Sequence, residues 1–560
     1  MTMKRYTFLS YFFIFLISLI SVFDLFITSG RSATFDGPTH MTDIAGYSLA
    51  LKDGNFPVFW LDGFGNYGMP VGLYSHQLLL TIAGFINIFV HNPVFIFCLF
   101  FFLAVFLTNI TFYLFLRLYF SPPASLAGIT LLTFSAYRLL NIYIRGDLPE
   151  TFSGIFLGTM LLGIYYFIAK KKAWGFFLIA FSYFCLSLTH PLMLITYSFF
   201  IFPYLIFLLW QQKDTIALRI TYFVSFLLAM LLGIAMAAYF LMPLVLETKY
   251  LYFGQEKNHL SPQFLGIQNF LGESWYYYFK TDIFVRGQFV QTGLLETLTI
   301  ICGLLYFIYV LLKKGLKKSV DLLPLTLLCA FAVIFMTTAF ALPIYLHVPE
   351  MSSLQFPWRI LSLFIFLCPI LLAFLLDKLQ MKIFIIVAIV IIFVVRFPQL
   401  YGKNYTVYPV VSYYFTPYNL FPIDYNPIWT GRSQDYPIEK NKIAVISGSA
   451  KIISEKVSNA ERLYVVNDTT AARFVDYTFY FPGWIVYVDG QPVQLQFQDP
   501  AYRGVITYDV PAGQHTIRVV LQDTTIRKFA KILSLIFIGI FLILFFLRNK
   551  LLSIFFDKKK

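Results

Sequence analysis

The sequence predicts a polytopic α-helical membrane protein with about twelve transmembrane helices and a small extracytoplasmic β-sandwich domain before the last helix. Three observations predict it. First, 59% of the 560 residues are hydrophobic and only 12% are charged, against about 25% charged in an ordinary soluble domain. No globule of this size could hide that much apolar surface from water. Second, apolar runs near the roughly 20 residues that cross a hydrocarbon core recur along the chain, and short Lys and Arg clusters fall between alternate pairs of runs. Third, residues from about 440 to 522 abandon these runs for period-two alternation, the pattern of half-buried strands.

The elements follow in order. Lys4 and Arg5 place the start of a first span, about 6–28, in the cytoplasm. Its length and the lack of a clean small-residue cleavage site read as a membrane anchor rather than a signal peptide. A polar interval, 29–75, comes next and lies outside. Residues 77–90 are apolar but short, which suits an interfacial or re-entrant segment. Further spans at about 93–116, from Pro122 to Tyr137, to Lys170, 173–189 and 191–210 are punctuated by Arg117, by Lys170, Lys171 and Lys172, and by Lys213 and Arg219. A span to about Leu246 leads to a polar loop, 247–290. Four more spans run to about Gln399, marked by Lys313, Lys314, Lys317, Lys318, Asp377, Lys378 and Lys382.

The chain divides into a transmembrane region 1–400, an extracytoplasmic region 401–527 and a last helix with a basic tail, 528–560. Nearly every short basic cluster then falls on one side, which the positive-inside rule makes cytoplasmic, with both termini there. Arg527 and Lys528 are the exception and read as snorkelling residues. Asp489-Gly490 between two alternating runs signals a hairpin, because a type I′ turn needs positive φ at both central positions.

Composition also excludes. The net charge of +14 belongs to topology signals rather than a nucleic-acid surface. Cys98, Cys185, Cys302, Cys329 and Cys368 sit in apolar runs without metal-ligand spacing and read as small core residues. No P-loop, HExxH or CxxC motif is present, which argues against a nucleotide-driven pump or a zinc protease.

The residues that could carry chemistry lie in the polar breaks. Asp36 opens the first loop, with His40 and Asp43 at i+4 and i+7, so a helix after Gly37-Pro38 would align all three on one face. A carboxylate there could accept a proton from an acceptor hydroxyl; the competing reading is a solvated loop acid. Arg145, Asp147 and Glu150 share one ten-residue break, 141–150. The guanidinium could grip a phosphate, and Glu150 could orient an acceptor or assist a metal. Alternatively the two form a salt bridge at the first turn of the next helix, where Pro149 sits. Arg359 lies at the entrance of a span, behind Phe356-Pro357-Trp358, and needs a partner such as a lipid phosphate or headgroups. His190 precedes Pro191 at a helix tip, either as a ligand-binding group or as a capped structural residue. Asp24 is an intramembrane acid that needs a partner.

Three stretches resemble a known family. Phe35-Asp36-Gly37-Pro38-Thr39-His40, with Asp53-Gly54-Asn55-Phe56-Pro57 and Gly65-Asn66-Tyr67-Gly68-Met69-Pro70, resembles bacterial membrane proteins labelled as related to 6-pyruvoyl-tetrahydropterin synthase. Nothing in these residues suggests pterin chemistry. Tyr143-Ile144-Arg145-Gly146-Asp147-Leu148-Pro149-Glu150 and Gln355-Phe356-Pro357-Trp358-Arg359 match the same group. Phe481-Pro482-Gly483-Trp484 through Val510-Pro511-Ala512-Gly513-Gln514-His515 is similar to the closing domain of YfhO-like proteins. Both groups resemble the GT-C superfamily of polytopic glycosyltransferases.

That resemblance implies a GT-C-like fold and an inverting transferase of a bacterial cytoplasmic membrane. It would move a sugar from a polyprenyl-phosphate donor to an extracytoplasmic glycan, lipid or protein. It puts Asp36 in the position of the base, and makes Arg145 and Arg359 candidates for the donor phosphate. His40, Glu150 and His190 join them as substrate-binding candidates, and Asp43 as an auxiliary acid. No cofactor is fixed, and a divalent metal, Mg or Mn, stays open. The alternatives are a lipid-linked saccharide transporter or flippase using the same cavity without a base, and a non-catalytic envelope-assembly scaffold.

Overall fold

The computed structural model describes residues 2–27, 34–63, 67–255, 260–271, 290–314, 321–380, 382–402, 409–415, 425–431, 436–437 and 441–556. Arg31, Gly65, Asn66, much of the 247–290 loop, and the clusters at Lys317 and Lys318 and at Lys558, Lys559 and Lys560 lie outside the described residues.

The helices run α1 (Thr2–Ile27), α2 (Gly37–Lys52), α3 (Gln77–Val90), α4 (Pro93–Leu116), α5 (Pro122–Thr133), α6 (Ala136–Leu140), α7 (Leu148–Ile168), α8 (Trp174–Thr189), α9 (Leu192–Gln211) and α10 (Ile216–Met236). They continue as α11 (Ala238–Glu247), α12 (Ile267–Leu271), α13 (Leu294–Lys314), α14 (Leu322–Thr337), α15 (Leu342–His347), α16 (Pro349–Ser352), α17 (Leu361–Leu379), α18 (Lys382–Arg396) and α19 (Thr525–Phe556). Among the described residues ten helical stretches are long and apolar enough to cross a membrane, and α14 with the segment 339–347 makes an eleventh if that pair, bent by 83°, is one span. The protein is a multi-pass membrane protein.

Against the expected twelve, the described residues thus supply ten or eleven. One span fewer is α8, whose 16 residues rise only about 24 Å at 1.5 Å per residue, less than the roughly 30 Å hydrocarbon core; the bent α14 pair makes the difference between ten and eleven. The span expected to reach Leu246 is broken at Ala237, where α10 gives way to α11. The short 77–90 segment is the 14-residue helix α3, which packs on α2. Cys302 faces outward on α13 rather than into the core, while the other four cysteines are buried.

Eight strands follow: β1 (Ile443–Ser447), β2 (Ala450–Val457), β3 (Glu461–Asp468), β4 (Ala472–Phe479), β5 (Trp484–Val488), β6 (Gln491–Val493), β7 (Val505–Val510) and β8 (Gly513–Leu521). They form two antiparallel sheets, β1-β4-β7 and β2-β3-β8-β5-β6. Inward residues of both sheets, among them Tyr464, Val466, Phe474, Val486, Tyr508 and Ile517, share one core. The alternation on β3, with Arg462, Tyr464 and Val466 turned inward, is what the period-two pattern encodes. Asp489 and Gly490 close the β5–β6 hairpin with φ of 48° and 81°, as a type I′ turn requires. The Pro511–Gln514 turn instead carries the chain from one sheet to the other.

The first loop is not a free polar loop. Trp60, Tyr67 and Leu73 are part of the β-domain core. Trp60 meets Trp484 edge-on at 5.3 Å, and Tyr67 stacks on Phe479 at 4.9 Å. Asn459, in the β2–β3 turn, is held on several sides: its backbone N–H donates to Asp53 at 2.7 Å, its amide donates to Asn55 at 3.0 Å and to the Trp60 carbonyl at 2.7 Å, and it accepts the Asp62 N–H at 3.1 Å. Asp62 pairs with Lys442 at 2.9 Å and with the fully buried Arg462, whose guanidinium also lies over Trp484. Burial pushes the Asp62 carboxyl up, but Arg462 and Lys442 outweigh it and hold the group below its usual range.

Removing one member of a buried ion pair leaves an uncompensated charge and costs about 3–5 kcal/mol. Asp62 keeps some solvent contact, with 19% of its side chain exposed, so Asp62→Asn is expected to destabilise the β-domain by about 3 kcal/mol. The check is a thermal melt beside hydrogen exchange of residues 53–62, and an unchanged exchange pattern would sink this account.

Arg527 does not snorkel. It is buried and ion-paired to Glu247 at 2.8 Å, donates to the Pro482 carbonyl at 2.8 Å and stacks on Phe59 at 3.6 Å. Desolvating a guanidinium is costly without a partner, and the end of α11 supplies one. The pair ties the start of the last helix to the β-domain and the first loop. Asp24 accepts the Gly402 N–H at 2.9 Å.

Candidate functional site

The site is built where helix ends converge. Pro38 sets the first turn of α2, and Asp36 occupies the N-cap. An N-cap aspartate usually accepts a backbone N–H of the first turn; here the side chain makes no such bond, so its carboxylate is not engaged in starting the helix. The backbone fixes its place instead. The N–H groups of Phe35 and Asp36 donate to the carbonyls of Ile144 and Arg145 at 3.1 and 2.7 Å. Burial pushes the Asp36 carboxyl up to about 6; Asp147 adds to the shift, while Arg145 and Arg359 oppose it.

Gly146 permits this docking. It has φ of +68°, and a Cβ there would lie 2.5 Å from Thr34 Oγ1 and 2.8 Å from the Gly37 nitrogen. A left-handed conformation costs a non-glycine residue about 1–2 kcal/mol, and the contact with Gly37 is backbone. Gly146→Ala is therefore expected to push the Asp36 segment off the 144–145 backbone. Ligand response should fall more than the melting temperature does, and Thr34→Ala should restore only part of it. Full restoration in a double-mutant cycle would place the clash at Thr34 alone.

The segment expected as a ten-residue loop is largely helical. α6 runs into a π-helical turn, Asn141–Arg145, and α7 begins after two intervening residues, Gly146 and Asp147. Such turns widen the backbone and often occur at functional sites. Asp147 caps α7, accepting the Glu150 N–H at 3.0 Å. Arg145 is held tightly: it donates to Asp147 at 2.5 Å, and to Glu150 and Asn141 at 2.8 Å each, and lies 5.0 Å from the Trp358 ring. Trp358 is fixed in turn by Gln263, which accepts its indole N–H at 3.2 Å. Burial would raise the Asp147 carboxyl, but Arg145 overrides it and holds the group below the usual carboxylate range.

Arg359 opens the other side, in a 3-10 turn Pro357–Ile360 ahead of α17. It donates to the Leu354 carbonyl at 3.0 Å, stands 3.7 Å from Glu150, and its Nε is buried without a hydrogen-bond partner. Of the two arginines singled out in the sequence, Arg145 has its carboxylate-facing donors engaged, whereas Arg359 keeps donor capacity.

Three histidines gather beside Asp147. His76 stands between His40 and His190, with ring centroids 5.8 and 5.2 Å away. His76 Nδ1 lies 2.6 Å from the Thr189 carbonyl; since a carbonyl only accepts, that nitrogen carries the hydrogen and Nε2 the lone pair. Nδ1 of both His40 and His190 is buried without a partner. Burial keeps all three imidazoles neutral, lowering His40 to about 3 and also depressing His76 and His190. Asp43 departs from the cluster. It lies further along α2, nearer Tyr47 and Tyr74 than the arginines, and burial raises it to about 8.

The structure thus brings Asp36, His40, Arg145, Glu150, His190 and Arg359 to one end of the bundle and leaves Asp43 aside. Sequence reasoning passed over His76 and Arg138. His76 is the polar residue immediately before an apolar helix. Arg138 is a charge inside an apolar span, which is a signal in its own right; it donates to Asn109 at 3.3 Å and lines a small internal cavity with Asn141, Glu150, Tyr197 and Ser362.

Asp147, Glu150 and His190 each place a ligand atom within 4.8 Å of the others, the dimensions of a metal site. Every oxygen of the two carboxylates, however, already accepts from Arg145, Asn141 or the Glu150 N–H. The residues do not fit a divalent cation while Arg145 stays in place, and an imidazole ligand is a poor match for Mg in any case.

No curated protein matches the chain. Residues 79–401 match the family described as 6-pyruvoyl-tetrahydropterin synthase related domain, membrane protein. The matched segment includes Arg145, Glu150, His190 and Arg359 and begins after Asp36 and His40. It covers more than half of the 560 residues, and the chain belongs to this YfhO-like family of membrane proteins.

Proposed function

We propose that this protein is a GT-C-type inverting glycosyltransferase of a bacterial cytoplasmic membrane. It moves a sugar from a polyprenyl-phosphate donor to an extracytoplasmic acceptor, which is a cell-envelope glycan, lipid or protein. The observation that carries this reading is Asp36: a carboxylate not engaged in capping its helix, pushed up to about 6 by burial, at the mouth of a helix bundle beside Arg359. A base poised near the working pH is what deprotonation of a sugar or alcohol hydroxyl needs.

In the reaction, Asp36 takes the acceptor hydroxyl proton. The acceptor oxygen bonds to the anomeric carbon from one side while the bond from that carbon to the lipid-phosphate oxygen breaks on the other. The departing phosphate keeps the electron pair, and Arg359 stabilises its charge. His40 and His190 are neutral, with ring nitrogens free to meet sugar hydroxyls. The other end of the bundle carries Arg117, Lys170, Lys171, Lys172 and Lys378, which the positive-inside rule makes cytoplasmic. The Asp36 end and the β-domain then face outward.

The test is a panel of radiolabelled polyprenyl-phosphate sugars offered to protein in lipid, wild type beside Asp36→Asn. Sugar release by wild type alone supports the reading. Binding without release by both proteins overturns it in favour of a transporter or scaffold.

A further inference from the structure

We infer that the Arg145 guanidinium is the resident cation of this site, standing where a divalent metal would bridge Asp147, Glu150 and His190. The cluster has the ligand types and size of a mixed nitrogen and oxygen site, and Nδ1 of His190 is buried with no hydrogen-bond partner among the described residues. The cation in it is nevertheless Arg145. Its two terminal nitrogens divide between the carboxylates, one on Asp147 and one on Glu150. A guanidinium cannot be deprotonated in a protein, so this charge is permanent.

The charge count agrees. Arg145 and Arg359 balance Asp147 and Glu150, and Asp36 beside them adds one negative charge when ionised. A dication added to that buried group would leave one positive charge uncompensated at low dielectric with Asp36 ionised, and two with it protonated. Arg145 is also immobilised by the Trp358 ring and by Asn141, and its carbonyl accepts the Asp36 N–H. One residue therefore neutralises the carboxylates and holds the Asp36 segment, work that a metal could do only in part. Arg145 is on this view a positioning residue, and Arg359 is left to meet an incoming anion.

The inference concerns metal occupancy, not the reaction, so it is tested without an activity assay and can fail independently of the transferase reading. The full-length protein in lipid nanodiscs is titrated with Mn²⁺, followed by electron paramagnetic resonance, and with Zn²⁺, followed by calorimetry. Wild type is expected to show no saturable site at micromolar metal. Arg145→Met, which keeps volume and removes charge, is expected to gain one, and Arg145→Met with His190→Ala to lose it again. Stoichiometric metal on wild type that disappears in His190→Ala overturns the inference. So does a folded Arg145→Met protein that gains no site. If Arg145→Met does not fold, the wild-type titration and its His190→Ala partner decide alone.

Discussion

Asp36→Asn is expected to reduce sugar transfer by about 10²–10⁴-fold, the range that general-base help contributes, while binding of the lipid-phosphate donor persists. Asparagine keeps the shape of the side chain and the backbone bonds to Ile144 and Arg145, but it cannot accept a proton. The pH behaviour follows from the raised carboxyl. As the proposed base Asp36 would have to be ionised to act, so wild-type turnover should fall as pH drops through about 6; the Asn variant should lack that limb.

Stability should run the opposite way. A carboxyl raised from 3.8 to about 6 in the folded protein stabilises the fold fully below the lower value and loses that contribution as pH rises through the upper one. At pH 8 the Asn variant, free of the buried charge, should melt no lower than wild type, whereas at pH 4 it gains nothing. Loss of turnover with a preserved melt assigns the defect to chemistry. Loss of both would mean that Asp36 is a structural acid, and the transferase reading would lose its base.

Much of this molecule was legible because membranes impose strong local rules. Spans announce themselves as apolar runs, and the β-domain announces itself by alternation and by Asp489-Gly490. The same locality explains what was missed. Arg527 looked like a headgroup-seeking residue because its partner, Glu247, is 280 positions away. The first loop read as an open catalytic interval because nothing local reveals that Trp60 and Tyr67 complete a core formed by strands some 400 residues later.

Arg145 and Arg359 looked equivalent as phosphate ligands. Only the three-dimensional placement of Asp147, Glu150 and Leu354 shows that one has its carboxylate-facing donors engaged while the other keeps a donor free. The i, i+4, i+7 spacing of Asp36, His40 and Asp43 was a true helical pattern, yet a pattern does not say how far a cluster extends along the helix. Asp43 falls beyond the turn at which His76 and Asp147 meet it.

The largest expected effect on stability lies elsewhere, at Glu296 and Arg396. Their side chains are fully buried and paired, although α13 and α18 otherwise turn residues such as Leu298 and Ile386 outward. Glu296 Oε1 also accepts the Ala136 N–H at 2.9 Å, at the break between α5 and α6. It thereby satisfies a donor that the first turn of α6 leaves open. Glu296→Gln removes the carboxylate charge that Arg396 pairs with inside the bundle, and should destabilise the protein by about 3–5 kcal/mol; Arg396→Met, which removes the other charge of the pair, should cost a similar amount.

The pair Glu296→Leu with Arg396→Met replaces both charges by apolar groups of similar volume, and should recover most of the lost stability. It cannot recover the bond to Ala136. Hydrogen exchange over 136–145 should therefore remain faster than in wild type even when the melt is restored, because α6 and the π-helical turn carrying Arg145 have lost their anchor. If the double variant protects that segment as well as wild type does, the ion pair serves stability alone. If it does not, a buried pair on the lipid-facing side of the bundle sets the position of the arginine on which the Asp36 segment rests.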